Sequence, residues 1–223
     1  MDNYYNIDTH VSNSDLGRLQ NLINGTDPFS NVNMQSIFDF GSLVDCMLLE
    51  PENVIYSEKR LVVPSGGDVT FDDQTWARAI SMRNAGRKDR ILSMYIKNMS
   101  AQQTLKVDKF DVEYMGNMFD IPARCKYDLC SLPMRMGADL KTTACTSLKS
   151  FKQTIEAMDY DRQGAWYMDL GNLDNFMFIG ISKTAVNGKH EVFHVAFDRN
   201  SDLYKSGLRK YQRLAYMYKL LIL

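Results

Sequence analysis

Residues 128–141 read DLCSLPMRMGADLK, and the rest of the chain is organised around them. Two strand-like runs carry the acids Asp128 and Asp139, and Lys141 follows two residues after the second. Side chains alternate across a β-strand, so Asp139 and Lys141 share one face while Leu140 points into the core. A hydrolytic metal site needs hard oxygen ligands, an open coordination position and a group that orients or activates water. The spacing Asp-x10-Asp-x-Lys supplies the first and the last of these. An acid at a strand end is also an ordinary turn residue, and a neighbouring lysine an ordinary ion pair. Two charges set within a hydrophobic strand and aimed at one face call for a further reason.

Outward from this stretch the hydrophobic period is 2. Thr104 to Tyr114 alternates through Leu105, Val107, Phe110 and Val112, and Gly116-Asn117 offers hairpin turn chemistry into a strand from Phe119 to Leu129. A third strand covers about Arg135 to Thr142. Helices are expected over 147–157 and 160–170, a second hairpin over Asn175–Lys183 and Lys189–Phe197 around Val186-Asn187-Gly188, and a last helix from Asp202 to Leu221. Upstream, Ser12-Asn13-Ser14-Asp15 offers caps for a helix bearing Leu16, Leu19, Leu22 and Ile23. A second helix spans about Ile37 to Leu49 and stops at Glu50-Pro51-Glu52, with Asp45 off its apolar stripe. Residues 53–70 read as a connecting segment, then helices over about Asp72–Asn84 and Lys88–Lys97. The order gives an α/β or α+β fold, a mixed central sheet flanked by helices. It reads as a single domain over 1–223, with a helical part (about 1–100) and a sheet core (about 101–200).

Composition narrows the class. The 223 residues are 45% hydrophobic and 11% aromatic, which is globular usage. Four cysteines without CxxC spacing do not make a disulfide framework or a strong zinc motif. The apolar runs are short and the first ten residues, MDNYYNIDTH, lack a signal-peptide pattern, so a soluble, cytoplasmic protein with no membrane association is expected. A net charge of −1 excludes a general field that coats nucleic acid; phosphate binding has to come from local basic stripes. Arg83, Arg87 and Arg90 have helical spacing if their helix runs through Gly86, and Lys205, Arg209 and Arg213 have it in the last helix. Of these, Arg83, Arg87, Lys205 and Arg209 are the DNA-contact candidates. His190 and His194 share a strand face, where contacts to the partner strand are the expected role.

Four ordered stretches resemble the PD-(D/E)xK nuclease superfamily, and specifically its RecE-like branch of exonuclease VIII and phage-type relatives. Val11-Ser12-Asn13-Ser14-Asp15-Leu16 is similar to that branch's N-terminal helix start, and residues 40–51 (FGSLVDCMLLEP) to its Gly-x-x-x-His-x-x-x-Leu-Glu-Pro helix. Residues 121–128 (IPARCKYD) with Asp139-Leu140-Lys141-Thr142-Thr143 match its paired core strands, and Tyr160 to Tyr167 its Gln-x-x-x-Tyr helix. The resemblance implies a restriction-endonuclease-like core in which Asp128, Asp139 and the Leu140 carbonyl ligate Mg2+ or Mn2+. Lys141 then orients or deprotonates the nucleophile, and Gln163 and Tyr167 position DNA or water. It implies a deoxyribonuclease, in particular a 5′–3′ exonuclease on ends of linear double-stranded DNA in phage-type recombination, often a ring-shaped homo-oligomer beside a single-strand annealing protein.

Two departures stand out. Asp45 occupies the place of the family's histidine and is a further candidate ligand. The acid ahead of the first core strand is replaced in the neighbourhood of Gln102 and Gln103, with Glu113 further along on an expected exposed hairpin face. The alternative reading is therefore a catalytically impaired DNA-binding or assembly protein on the same fold.

Overall fold

The computed structural model describes residues 9–26, 34–63 and 66–223. In chain order the helices and strands are α1 (Asn13–Asn24), α2 (Met34–Leu49), β1 (Val54–Ile55), β2 (Arg60–Val62), β3 (Asp68–Thr70), α3 (Asp73–Lys88) and α4 (Arg90–Asn98). There follow β4 (Ser100–Tyr114), β5 (Asn117–Ser131), β6 (Met136–Thr143), α5 (Leu148–Ala157), α6 (Tyr160–Leu170), β7 (Asn175–Val186), β8 (Lys189–Asp198) and α7 (Asp202–Leu221).

Local chemistry sets these limits. Ser12 caps α1 in a reciprocal capping box with Asp15, and Gly25 closes the helix in the left-handed region. Leu16 and Leu19 are buried, but Leu22 and Ile23, expected on the same stripe, are exposed. Asp89 ends α3 and caps α4 through the Leu92 amide, so Arg83 and Arg87 share α3 while Arg90 opens the next helix. The first hairpin turns on Met115-Gly116, one residue earlier than the sequence indicates, and the second on Asn187-Gly188; all four residues have positive φ. The segment read as a connector contains a small antiparallel sheet, β1-β2-β3. Its strands are two or three residues long, too short to show alternation. Pro64 and Ser65, placed at its flexible point, lie outside the described residues.

The main sheet has the order β4-β5-β6-β7-β8 and is antiparallel except for the β6–β7 pair. Parallel neighbours need a crossover, and α5 with α6 provides it. Helices cover both faces. One core joins α1, α5, α6 and α7 to the sheet through Trp166, Phe151, Phe176 and Phe178. The other joins α2, α3, α4 and the small sheet through Leu43, Met47, Trp76, Leu140 and Ile179. Tyr204 and Tyr211 of the last helix belong to the first core, and both donate to Asp169.

What positions the site is a seam in this sheet. Strand β5 pairs with β6 over only Leu129, Cys130 and Ser131, although β6 runs on to Thr143. Beyond that point the two strands part. The open flank of β5 is taken instead by Val11, whose amide donates to the Pro122 carbonyl and whose carbonyl accepts from the Arg124 amide, each at 2.8 Å. On the other flank, β4 carries a bulge between Val107 and Phe110, opposite Pro122, which has no N–H to give a ladder.

Candidate active site

Asp128 stands where the pattern of β5 breaks. Tyr127 lies in the α6-side core and Leu129 in the α2-side core, two residues apart. Opposite Asp128 on β4 is Gln102, held at a φ of 54°, a conformation that costs a non-glycine residue energy. The bend frees the Asp128 side chain to act as a strand partner: its Oδ2 accepts the Leu140 amide at 2.7 Å. Gln102 Nε2 approaches its Oδ1 at 3.4 Å. Of the two glutamines in that neighbourhood, Gln102 is thus the one beside the acid, while Glu113 lies exposed near the hairpin tip, paired with Met118.

On β6 the alternation is kept. Ala138 and Leu140 enter the α2-side core, and Asp139 and Lys141 face α6. Gln163, in the first turn of α6, donates to Asp139 Oδ1 at 2.6 Å. Lys141 Nζ lies 2.5 Å from Asp139 Oδ2 and 4.7 Å from the centroid of the Tyr160 ring. Tyr167, one turn further along α6, is buried with its ring edge-on to Tyr127 and Phe176, and its carbonyl accepts from the Tyr127 hydroxyl. Asp45 arrives from the opposite layer on α2. The seam therefore gathers residues from both helical layers: Gln163 and Tyr160 from one, Asp45 from the other.

The charges of this group are coupled. Burial, then the Asp139 carboxylate, pushes Asp128 up to about 7, against the opposing pull of Lys141 and the Leu140 amide. Burial, then Asp128 and Asp139, raises Asp45 well above the carboxylate range. Burial alone would lower the Lys141 ammonium, but Asp139, Asp128 and Tyr160 outweigh it and raise its pKa. Three carboxyl groups thus share one ammonium in a desolvated seam, a donor set that favours an added cation.

A divalent ion fits these residues in one particular way. Asp139 Oδ2 is buried without an aligned hydrogen-bond donor, its contact with Lys141 being an ion pair. No group of three or more His, Cys, Asp or Glu side chains closes to metal-holding geometry among the described residues. The arrangement is two strand carboxylates, one of them accepting the Leu140 amide, not a closed cage of acids. Mg2+ is commonly held by one or two carboxylates while keeping several waters, so the set suits a hard ion that remains largely hydrated.

Beside the acids a cleft of about 270 Å³ opens on the α2 side, lined by Ser42, Asp45, Glu50, Gln102, Lys126 and Asp128 among others. Exposed Phe38 stands at its wall. Lys126 and Glu50 carried no assigned role in the sequence; the usable signal was Lys126 two residues before Asp128 on one strand. None of Arg83, Arg87, Lys205 and Arg209 lines this cleft. Arg83 packs over the Tyr56 ring, and Arg87 donates to the Met47 carbonyl at 3.3 Å. Lys205 and Arg209 are exposed on α7, in the layer opposite α2. His190 and His194 engage the Ser182 carbonyl and Asp89, at 2.8 and 2.9 Å, as ordinary structural partners.

A five-stranded mixed sheet between two helical layers, with Asp-x10-Asp-x-Lys at a seam between its strands, defines a PD-(D/E)xK-type protein. The family model for the PDDEXK-like domain of unknown function DUF3799 matches residues 21–220, and the chain belongs to that family. No curated protein sequence matches it. Among solved structures it is similar to a phage related exonuclease from Haemophilus somnus 129PT, with 16% identity and a TM-score of 0.33, over 52% of this chain and 61% of that one. It is also similar to the protein SSO0001, with 11% identity and a TM-score of 0.37, over 93% of this chain and 85% of that one. No helix among the described residues is long and apolar enough to cross a membrane.

Proposed function

We propose that this chain is a metal-dependent deoxyribonuclease and, as its RecE-like resemblance implies, a 5′–3′ exonuclease acting on ends of linear double-stranded DNA. The observation that carries the reading is the seam itself. Asp128 and Asp139, brought side by side where β5 and β6 part, are fixed by the Leu140 amide and by Gln163, with Lys141 against the second acid. Asp128, Asp139 and the Leu140 carbonyl would hold Mg2+ or Mn2+, with Asp45 as a further ligand from α2. When bound, the ion supplies neutralising charge at the scissile phosphate and acidifies water.

The chain's own residues do the rest. Lys141, an ammonium held against Asp139, would orient the nucleophile by donating a hydrogen bond to it. Gln163 holds Asp139 in one rotamer, and the Leu140 amide does the same for Asp128, so both carboxylates keep their direction as charge changes. Lys126, in the cleft wall, would meet a backbone phosphate of bound DNA. Phage-type recombination, a cytoplasmic location, assembly into a homo-oligomer and a single-strand annealing partner belong to the same proposal. The alternative, a DNA-binding or assembly protein that no longer cleaves, draws on Asp45, which the resemblance sets in the place of the family's histidine, and on Gln102 and Gln103, in whose neighbourhood the family carries an acid.

Digestion of linear duplex DNA by purified protein with Mg2+ or Mn2+ tests the reading. Loss of the Lys141 ammonium as a positioned hydrogen-bond donor is expected to cost about 10²–10³ in rate in Lys141→Ala, and Asp139→Ala to remove cleavage. Equal activity in wild type and Asp139→Ala overturns the enzyme assignment in favour of the alternative.

A further inference from the structure

Lys141 is held from two sides, and only one of them is an acid. Its Nζ lies 2.5 Å from Asp139 Oδ2 and 4.7 Å from the centroid of the Tyr160 ring. An ammonium within about 6 Å of a ring centroid is drawn to the negative face of the ring, more strongly as water is removed. Both partners are withdrawn from bulk solvent here: the Lys141 side chain is 19% exposed and Tyr160 is half-buried. An ammonium carries three N–H donors and no acceptor. Asp139 engages the group from one direction, while the ring attracts the charge as a whole and offers no lone pair. The ammonium is therefore steered without all its donors being consumed.

The fold fixes the ring in this place. Tyr160 opens α6, and its ring is tilted against Phe178 with centroids 6.0 Å apart. Phe178 is the register partner of Asp139 on β7, and Gly180 that of Lys141. The ring thus rests on the strand beside the one that carries the acid and the lysine. Phe178 is in turn stacked on Phe197 of β8, with centroids 5.6 Å and planes 18° apart. Three rings make a column from the β8 edge of the sheet to Lys141. Helix α6 lies close over this column because Gly164, one turn beyond Tyr160, has no side chain. A Cβ there would come within 2.5 Å of the Phe197 ring and 3.1 Å of Phe178. The Tyr160 hydroxyl has no hydrogen-bond partner among the described residues, so the ring and not the hydroxyl holds the side chain. One helix then serves both members of the ion pair: Gln163 bonds Asp139, and Tyr160 backs Lys141.

We propose that Tyr160 is a positioning residue for Lys141, its ring face holding the ammonium beside Asp139 and aimed at the nucleophile. This rests on the nuclease reading for what the ammonium meets, whereas the contact itself is tested without cleavage.

Two measurements on the full chain test it. The first is the proton shift of the Lys141 ammonium in nitrogen-edited NMR of lysine-labelled protein, assigned by its absence in Lys141→Gln. Protons above a ring face are shielded, so wild type and Tyr160→Phe should share an upfield signal that moves downfield in Tyr160→Leu. The second is steady-state cleavage of linear duplex DNA with Mg2+ or Mn2+. Tyr160→Leu should lower kcat by about 10- to 30-fold with KM little changed, the factor that a desolvated cation–π contact supplies. Tyr160→Phe, which keeps the ring, should cleave like wild type. A polyfluorinated phenylalanine at the same position keeps the ring's shape but removes its negative face, and should match the Tyr160→Leu loss even where the leucine variant folds poorly. Wild-type kcat in the fluorinated protein overturns the proposal, as does an equal loss in Tyr160→Phe and Tyr160→Leu, which would assign the effect to the hydroxyl. An ammonium signal that ignores Tyr160→Leu overturns the contact. A wild type that shows the shielded signal but cleaves nothing sinks the nuclease reading instead and leaves the ring contact standing.

Discussion

Replacing Gln163 by leucine removes one hydrogen bond while keeping a side chain of similar volume. Gln163 Nε2 donates to Asp139 Oδ1 at 2.6 Å, and Asp139 is 3% exposed, so no water replaces the lost donor easily. A hydrogen bond to a charged group contributes about 1.5–3 kcal/mol. For a chain of this size each kcal/mol moves the melting temperature by about 2–4 °C, so Gln163→Leu is expected to melt about 3–12 °C below wild type without divalent ions. Asp139 then has only Lys141 to offset it, and a cation between the strand acids becomes more valuable. Thermal unfolding with rising Mg2+ or Mn2+ should therefore recover part of the deficit, since occupancy at 100 times Kd adds about 2.7 kcal/mol. Gln163→Glu places a second carboxylate at the same position. It should show the larger deficit and the larger recovery. A Gln163→Leu protein that melts and cleaves like wild type, with or without divalent ions, refutes the claim that this bond positions Asp139.

Three further outcomes follow from other parts of the fold. A Cβ on Gly207 of α7 would lie 2.0 Å from the Asp161 carbonyl of α6, a backbone atom that cannot step aside. Gly207→Ala should therefore cost at least about 1–3 kcal/mol in denaturant unfolding; wild-type stability would mean the helices do not approach so closely. Burial would raise the Asp15 carboxyl, but the Ser12 hydroxyl and amide and Arg18 outweigh it and hold its pKa below the usual value. Its stabilisation is thus full above the unfolded pKa and fades as pH falls through the lower folded one. Acid unfolding curves of wild type and Asp15→Asn should converge in that range; parallel curves would refute the linkage. Burial pushes the Cys46 and Cys125 thiols up to about 12, while hydrogen bonds from Thr143, Thr154 and Ser150 outweigh burial at Cys145 and lower it. Native alkylation at pH 8, mapped by mass spectrometry, should label Cys145 well before the other two; preferential labelling of Cys46 would contradict the burial.

Period and punctuation alone determined most of this fold. Alternation over residues 104–114 marks β4, Asn187-Gly188 sets the second hairpin, and the Ser12–Asp15 pair places the start of α1, because each depends on neighbours in sequence. The small sheet β1-β2-β3 was not legible, since two or three residues are stabilised by pairing rather than by their own pattern. In the site, the acids and lysine of β6 share a face by strand geometry, which the spacing already states. Tertiary structure alone decided that Asp45 and Gln163 reach them from opposite layers, and that Tyr167 is packed into the core. It also decided that Gln102, not Gln103, stands beside Asp128. The physical reason is the seam: β5 and β6 part after three paired residues, and the bend at Asp128 and Gln102 moves side chains across the sheet. No count of residues along one strand contains where its neighbour leaves it.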